Sequence, residues 1–131
     1  MLTPVQKQLI ETSYRVISLQ LDEVGAKFYD HLFTLDPSLR ALFRTDIHQQ
    51  GMKLMQTIGF AVSNLHMPEV LTPVLKALGQ RHTTYGVKPE YYPIVGQALL
   101  ATLAQVMGED FTPELREAWA QLYQDLVVVT S

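Results

Sequence analysis

The stretch Leu75–Val87, LKALGQRHTTYGV, carries one histidine, His82, in helical register with Leu78 one turn before it and Leu75 two turns before it. Gly86 closes the segment about a turn later. A chain built this way presents one imidazole from an apolar helix face toward something flat and greasy. A lone histidine on such a face is also a common core or surface residue, so the stretch decides the fold only in company with the segments on either side.

Those segments read as helices set off by proline-marked breaks. Thr3 caps, Pro4 takes the first helical position and Gln6 completes a capping box. Leu9, Ile10, Ser13, Val16, Ile17 and Leu21 then recur at helical spacing. A second helix is expected from about Leu21 to Leu35, with Val24, Phe28, Leu32 and Leu35 on one face and Tyr29 and Phe33 beside it. Asp36-Pro37-Ser38 breaks it, and a short turn from Leu39 to Phe43 follows. Asp46 to Leu65 is the next helix, with an apolar stripe through Ile47, Gly51, Leu54, Ile58, Ala61, Val62 and Leu65. Thr72-Pro73 opens the His82 helix, Lys88-Pro89-Glu90 opens another that ends at Gly108, and Thr112-Pro113-Glu114 opens the last, which ends near Val129. There is no strand-like alternation and no internal repeat. These 131 residues are expected to form one all-α domain of six to seven helices, spanning 1–131.

Composition narrows the function. Apolar residues at 47% against 18% charged describe a chain able to bury a core. A formal net charge of -3 gives no basic footprint for nucleic acid. The absence of cysteine rules out disulfides, thiolate metal sites and thiol nucleophiles. The N-terminus lacks the apolar core of a signal peptide. The run Tyr91–Gly108 has no charged side chain and approaches membrane-spanning length, but Pro93, Gln97, Thr102 and Gln105 interrupt it, so a helix buried on most sides is the better reading. A soluble, cytoplasmic protein with no membrane partner is expected.

Gly25 and Gly51 each lie inside a helical pattern, where glycine costs roughly 1 kcal/mol relative to alanine. Either that cost is simply tolerated, or the second and third long helices cross there with no room for a Cβ. Gly25 is one turn before Tyr29, and Gly51 directly follows Gln50. A crossing at the glycines would bring Tyr29 and Gln50 together.

FYDHLF (28–33) followed by DPSLRALF (36–43) resembles the second helix and corner of bacterial haemoglobins. QQGMKLMQTIG (49–59) resembles their distal helix, LGQRHTTYGV (78–87) their proximal helix and YYPIVGQALL (91–100) the helix after it. Order and gaps agree over nearly the whole chain. The resemblance is to single-domain globins related to flavohaemoglobins and Vitreoscilla-type haemoglobin, and the distal segment is especially similar to globins of acidophilic methane oxidisers.

That resemblance implies a three-over-three globin fold enclosing haem b (Fe-protoporphyrin IX), with His82 as the proximal iron ligand. Phe43 would pack on the porphyrin, and Leu78, Val87 and Val95 would touch the ring. Lys53 and Arg81 would reach the propionates, though each is equally read as a solvated charge. Tyr29 and Gln50 would hydrogen-bond a distal ligand, with Leu54 closing the pocket by size. Tyr92 falls where relatives place a tyrosine beside the proximal histidine, and an ordinary interface tyrosine is the other reading. The glutamate that joins it in those relatives would lie beyond Ser131, which puts peroxidase-like push in doubt. Trp119 and Tyr123 read as plain core, His31 and His66 as surface residues. His48 lies two positions from Gln50 and should point away from the iron.

The resemblance therefore implies a protein that binds O2, and also CO and NO, reversibly, with high affinity and slow oxygen release. Nitric oxide dioxygenation is the enzymatic alternative. Relatives perform it with an attached flavin reductase domain, so here an external reductase is expected. A gas sensor is a further alternative and would need an output partner. A monomer or weak homodimer is expected.

Overall fold

A computed structural model describes residues 2–42, 47–67, 69–74, 76–77 and 89–130. Five α-helices have both ends within these residues: α1 (Pro4–Ile17), α2 (Leu21–Leu35), α3 (Ile47–Ser63), α4 (Tyr92–Met107) and α5 (Pro113–Thr130). Residues 69–74 and 76–77 are helical as well, and no strand occurs among the described residues. The all-α reading holds.

The helix starts follow from local chemistry. The Thr3 N–H donates to Gln6 Oε1 at 2.9 Å, and the Gln6 N–H donates back to Thr3 Oγ1 at 3.1 Å, so the expected capping box is formed. Thr112 Oγ1 caps α5 by accepting from the Leu115 N–H at 3.2 Å. Gly108 ends α4 with φ 59°, a left-handed conformation in which a Cβ would be strained. A 3-10 turn at Ser18–Gln20 joins α1 to α2, and a second at Pro37–Leu42 occupies the expected corner.

Two starts differ from expectation: Pro89–Tyr91 is a 3-10 turn, so α4 begins at Tyr92 rather than at Lys88-Pro89-Glu90, and the helix after Met67 begins early. The backbone is helical from residue 69, ahead of the expected cap at Thr72. The N–H groups of Val70 and Leu71 both donate to the Met67 carbonyl, at 3.0 and 3.2 Å, so that carbonyl begins the turn. Pro73 thus lies within the helical run, where its missing N–H removes a rung.

The core gathers around α2, which packs against both α3 and α4. Val24, Phe28, Tyr29 and Leu32 of α2 are buried with Met55, Ile58 and Val62 of α3 and with Ala98, Leu99 and Leu103 of α4. The uncharged run is buried on one face and half-buried on most of the rest, and no helix among the described residues is long and apolar enough to cross a membrane. The outer helices α1 and α5 join through the Trp119 indole N–H, which donates to Ser13 Oγ at 2.9 Å; both residues are buried. Two positions expected on inner faces are outside them: Val16 is 50% exposed and Leu35 48%. Each sits on the flank of its stripe beside positions that are buried, Ile17 at 0% and Leu32 at 1% exposure.

Candidate functional site

The site begins with a backbone contact between α2 and α3. A Cβ built on Gly25 would stand 3.0 Å from the backbone Cα and carbonyl carbon of Gly51, and one built on Gly51 would stand 3.2 Å from the Gly25 Cα. Both distances are tighter than nearly all real Cβ contacts and the atoms met are backbone, so the two glycines mark a crossing where the helix main chains touch. The sequence offered toleration or crossing, and crossing is the outcome.

Around that crossing the structure arranges several of the expected residues. Tyr29 lies one turn along α2 from Gly25 and is 5% exposed. Burial pushes its phenol up to about 12, so the hydroxyl keeps its proton at any ordinary pH. Gln50, half-buried, precedes Gly51 on α3. Leu54 follows one turn later, half-buried and packed against the same core as Tyr29, and Val95 joins that core from α4. Phe28 meets the Tyr29 ring edge-on, with centroids 5.0 Å apart and planes at 79°. Phe33 stacks on it at 5.8 Å and 29°.

Two further contacts hold the helices that carry these residues. The Tyr14 hydroxyl of α1 donates to the Met55 carbonyl of α3 at 3.1 Å, beside Gly59, where a Cβ would collide with that hydroxyl. The Tyr123 hydroxyl of α5 donates to the Tyr92 carbonyl at 2.6 Å, with its ring against Gly96. Burial, and secondarily the Tyr92 phenol, raises the Tyr123 phenol above its ordinary range. So Tyr123 is a clamp on the first turn of α4 as well as core.

A globin-family profile matches residues 26–130. The chain belongs to the globin family. It is similar to the flavohemoproteins of Rhizobium meliloti and Bordetella parapertussis, each 35% identical over 130 residues covering 96% of this chain and 32% of the relative. It is 30% identical over 119 residues to the flavohemoprotein of Bacillus subtilis, covering 88% of this chain and 30% of the relative. The globin chain thus spans about a third of the length of these curated relatives.

Of the site residues expected in this globin, Tyr29, Gln50, Leu54 and Val95 stand on helices packed about one core. Lys53, on α3, is exposed, and Tyr92 is half-buried at the start of α4. His82, Phe43, Leu78, Arg81 and Val87 lie outside the described residues, as does the direction of the His48 side chain. His31 and His66 are surface residues with partners: His31 Nε2 lies 2.8 Å from Gln105 Oε1 of α4, and His66 Nε2 lies 2.9 Å from Glu11 Oε1 of α1. No cluster of three metal-ligating side chains occurs among the described residues. The sequence reading missed Arg40, whose guanidinium lies 5.4 Å from the Phe33 ring centroid. Nothing in the linear spacing could have found it, because the break at Pro37 resets the helical phase between the two.

Proposed function

We propose that this globin holds haem b and binds dioxygen reversibly, with high affinity and slow release. Tyr29 carries the proposal. It is a buried phenol held in its protonated form and seated one turn from the backbone crossing that fixes the Gln50 turn of α3.

The residue types suit a haem. His82 would offer the imidazole nitrogen that iron takes as an axial ligand, and Phe43, Leu54, Leu78, Val87 and Val95 would offer an apolar lining for a flat ring. Lys53 and Arg81 would supply cations for its propionates. Haem, when bound, supplies the ferrous iron at which a diatomic gas is taken up. Tyr29 and Gln50 then set the preference among gases. Dioxygen in such a pocket carries partial negative charge and carbon monoxide much less, so a phenol O–H and an amide N–H favour dioxygen. A hydrogen bond to a charged acceptor contributes roughly 1.5–3 kcal/mol, and each 1.4 kcal/mol is about tenfold in a rate or constant.

Dissociation kinetics test this. Tyr29→Phe is expected to speed dioxygen release by about tenfold or more and to leave carbon monoxide release nearly unchanged. Equal acceleration of both gases would overturn the role of Tyr29. The purified chain is expected to be coloured, and His82→Ala to lose the haem.

A second reading is nitric oxide dioxygenation. It is favoured by the name of the relatives, which joins flavin to haem. One dioxygen, one nitric oxide and one electron give one nitrate, so continued turnover requires an electron donor such as a flavin reductase. Tyr29 and Gln50 would serve that reaction as well, by holding the dioxygen until nitric oxide arrives.

A further inference from the structure

We infer that Arg40 and Phe33 are positioning residues for Tyr29, passing the geometry of the corner turn to the buried phenol. This rests on the proposed role of Tyr29 and adds residues that neither composition nor spacing assigns.

The connection starts at Asp36. Its Oδ1 accepts from the Ser38 N–H at 3.1 Å and from the Ser38 hydroxyl at 2.5 Å, and its carbonyl accepts from the Leu39 N–H at 3.1 Å. These bonds shape the 3-10 turn Pro37–Leu42, and Leu39, only 2% exposed, pegs that turn into the core. Arg40 follows the peg, and its guanidinium lies 5.4 Å from the Phe33 ring centroid on α2. Phe33 in turn stacks on Tyr29, while Phe28 meets the same ring edge-on.

Tyr29 is therefore held by one aromatic neighbour stacked on it and another set edge to face. The hydroxyl lies at the far end of a rigid ring, where a small tilt at the base is magnified, and hydrogen bonds weaken steeply as they bend. A neighbour that fixes the tilt therefore affects a hydrogen bond it never touches. The guanidinium of exposed Arg40 adds a restraint to the half-buried Phe33 ring from outside the core.

A double-mutant cycle in the haem-loaded protein tests the inference, with dioxygen release as the readout and carbon monoxide release as the control. Phe33→Leu is expected to speed dioxygen release about two- to tenfold when Tyr29 is present. In the Tyr29→Phe background it should change the rate less than about twofold. Arg40→Met, at an exposed position that leaves the core intact, is expected to give a smaller increase, up to about threefold, and Arg40→Lys to restore most of the loss.

Additive effects of Phe33→Leu and Tyr29→Phe, or equal effects on both gases, would overturn the inference. So would an Arg40→Met rate indistinguishable from wild type. If Tyr29→Phe itself leaves dioxygen release unchanged, the reading of the site falls and this one with it. If Tyr29→Phe acts as expected but the cycle is additive, only the positioning role falls.

Discussion

Among single residues, the buried phenols make the most definite demand on the solvent. Tyr29 shifts from an ordinary 10.0 to about 12 because burial penalises its anion. The unfolded chain therefore releases that proton first as pH rises. The stability linked to Tyr29 is complete below pH 10 and is lost progressively between pH 10 and 12, at no more than about 1.4 kcal/mol per pH unit for one phenol. Urea midpoints measured across that window should fall in the wild type and fall less in Tyr29→Phe. Ser13 and Trp119 give a second case. Ser13→Ala leaves a buried indole N–H without its acceptor and should cost about 1–3 kcal/mol. The double variant with Trp119→Phe should cost less than the sum of the two single changes, as chemical denaturation can show. Tyr29 and Gln50 could be picked out in the sequence because each stands beside a glycine that helix economy does not explain. The bond between Ser13 and Trp119 could not, since it joins positions 106 apart and no local pattern carries that separation.

The helices themselves divide along the same line. Their ends were legible because caps are local: Thr3 with Gln6, Thr112 before Pro113, and Gly108 each act within a turn of themselves. Thr72-Pro73 has the form of a cap, yet the Met67 carbonyl began the turn first. Faces were less legible than ends. Val16 and Leu35 continue their stripes in phase but sit at 50% and 48% exposure, because burial depends on tertiary neighbours that the spacing does not encode. The glycine crossing is the exception, a tertiary contact that left a mark on two local patterns. Gly25→Ala should cost about 1–3 kcal/mol, since a new Cβ meets backbone rather than a side chain that can rotate. Gly51→Ala meets slightly looser packing and should cost less. Thermal melts give the order, and dioxygen release should quicken in both variants if the crossing sets the separation of Tyr29 and Gln50.

For the molecule as a whole, the arrangement is a central α2 with α3 and α4 against it and α1 joined to α5 outside. That much of the architecture agrees with the all-α expectation, and the globin profile covers residues 26–130. Under the proposed function, the same pocket chemistry would serve storage and nitric oxide removal alike. Supply of electrons separates them. Mixed with nitric oxide, the oxygenated protein should consume about one equivalent and stop, and an added flavin reductase with its reductant should make consumption continuous. Continuous consumption without any donor would contradict the electron count.

The fastening of α3 has a consequence for traffic into the molecule. Near one end its main chain lies directly on that of α2 at Gly51, and midway its Met55 carbonyl is gripped by the Tyr14 hydroxyl. A strut pinned at two points by its own backbone is poorly suited to swinging aside as a door. Under the proposed function, the passage of small gases past this wall would depend on side chains such as Leu54 changing rotamer. The bulk at position 54 would then set the pace of entry while the wall itself stays still.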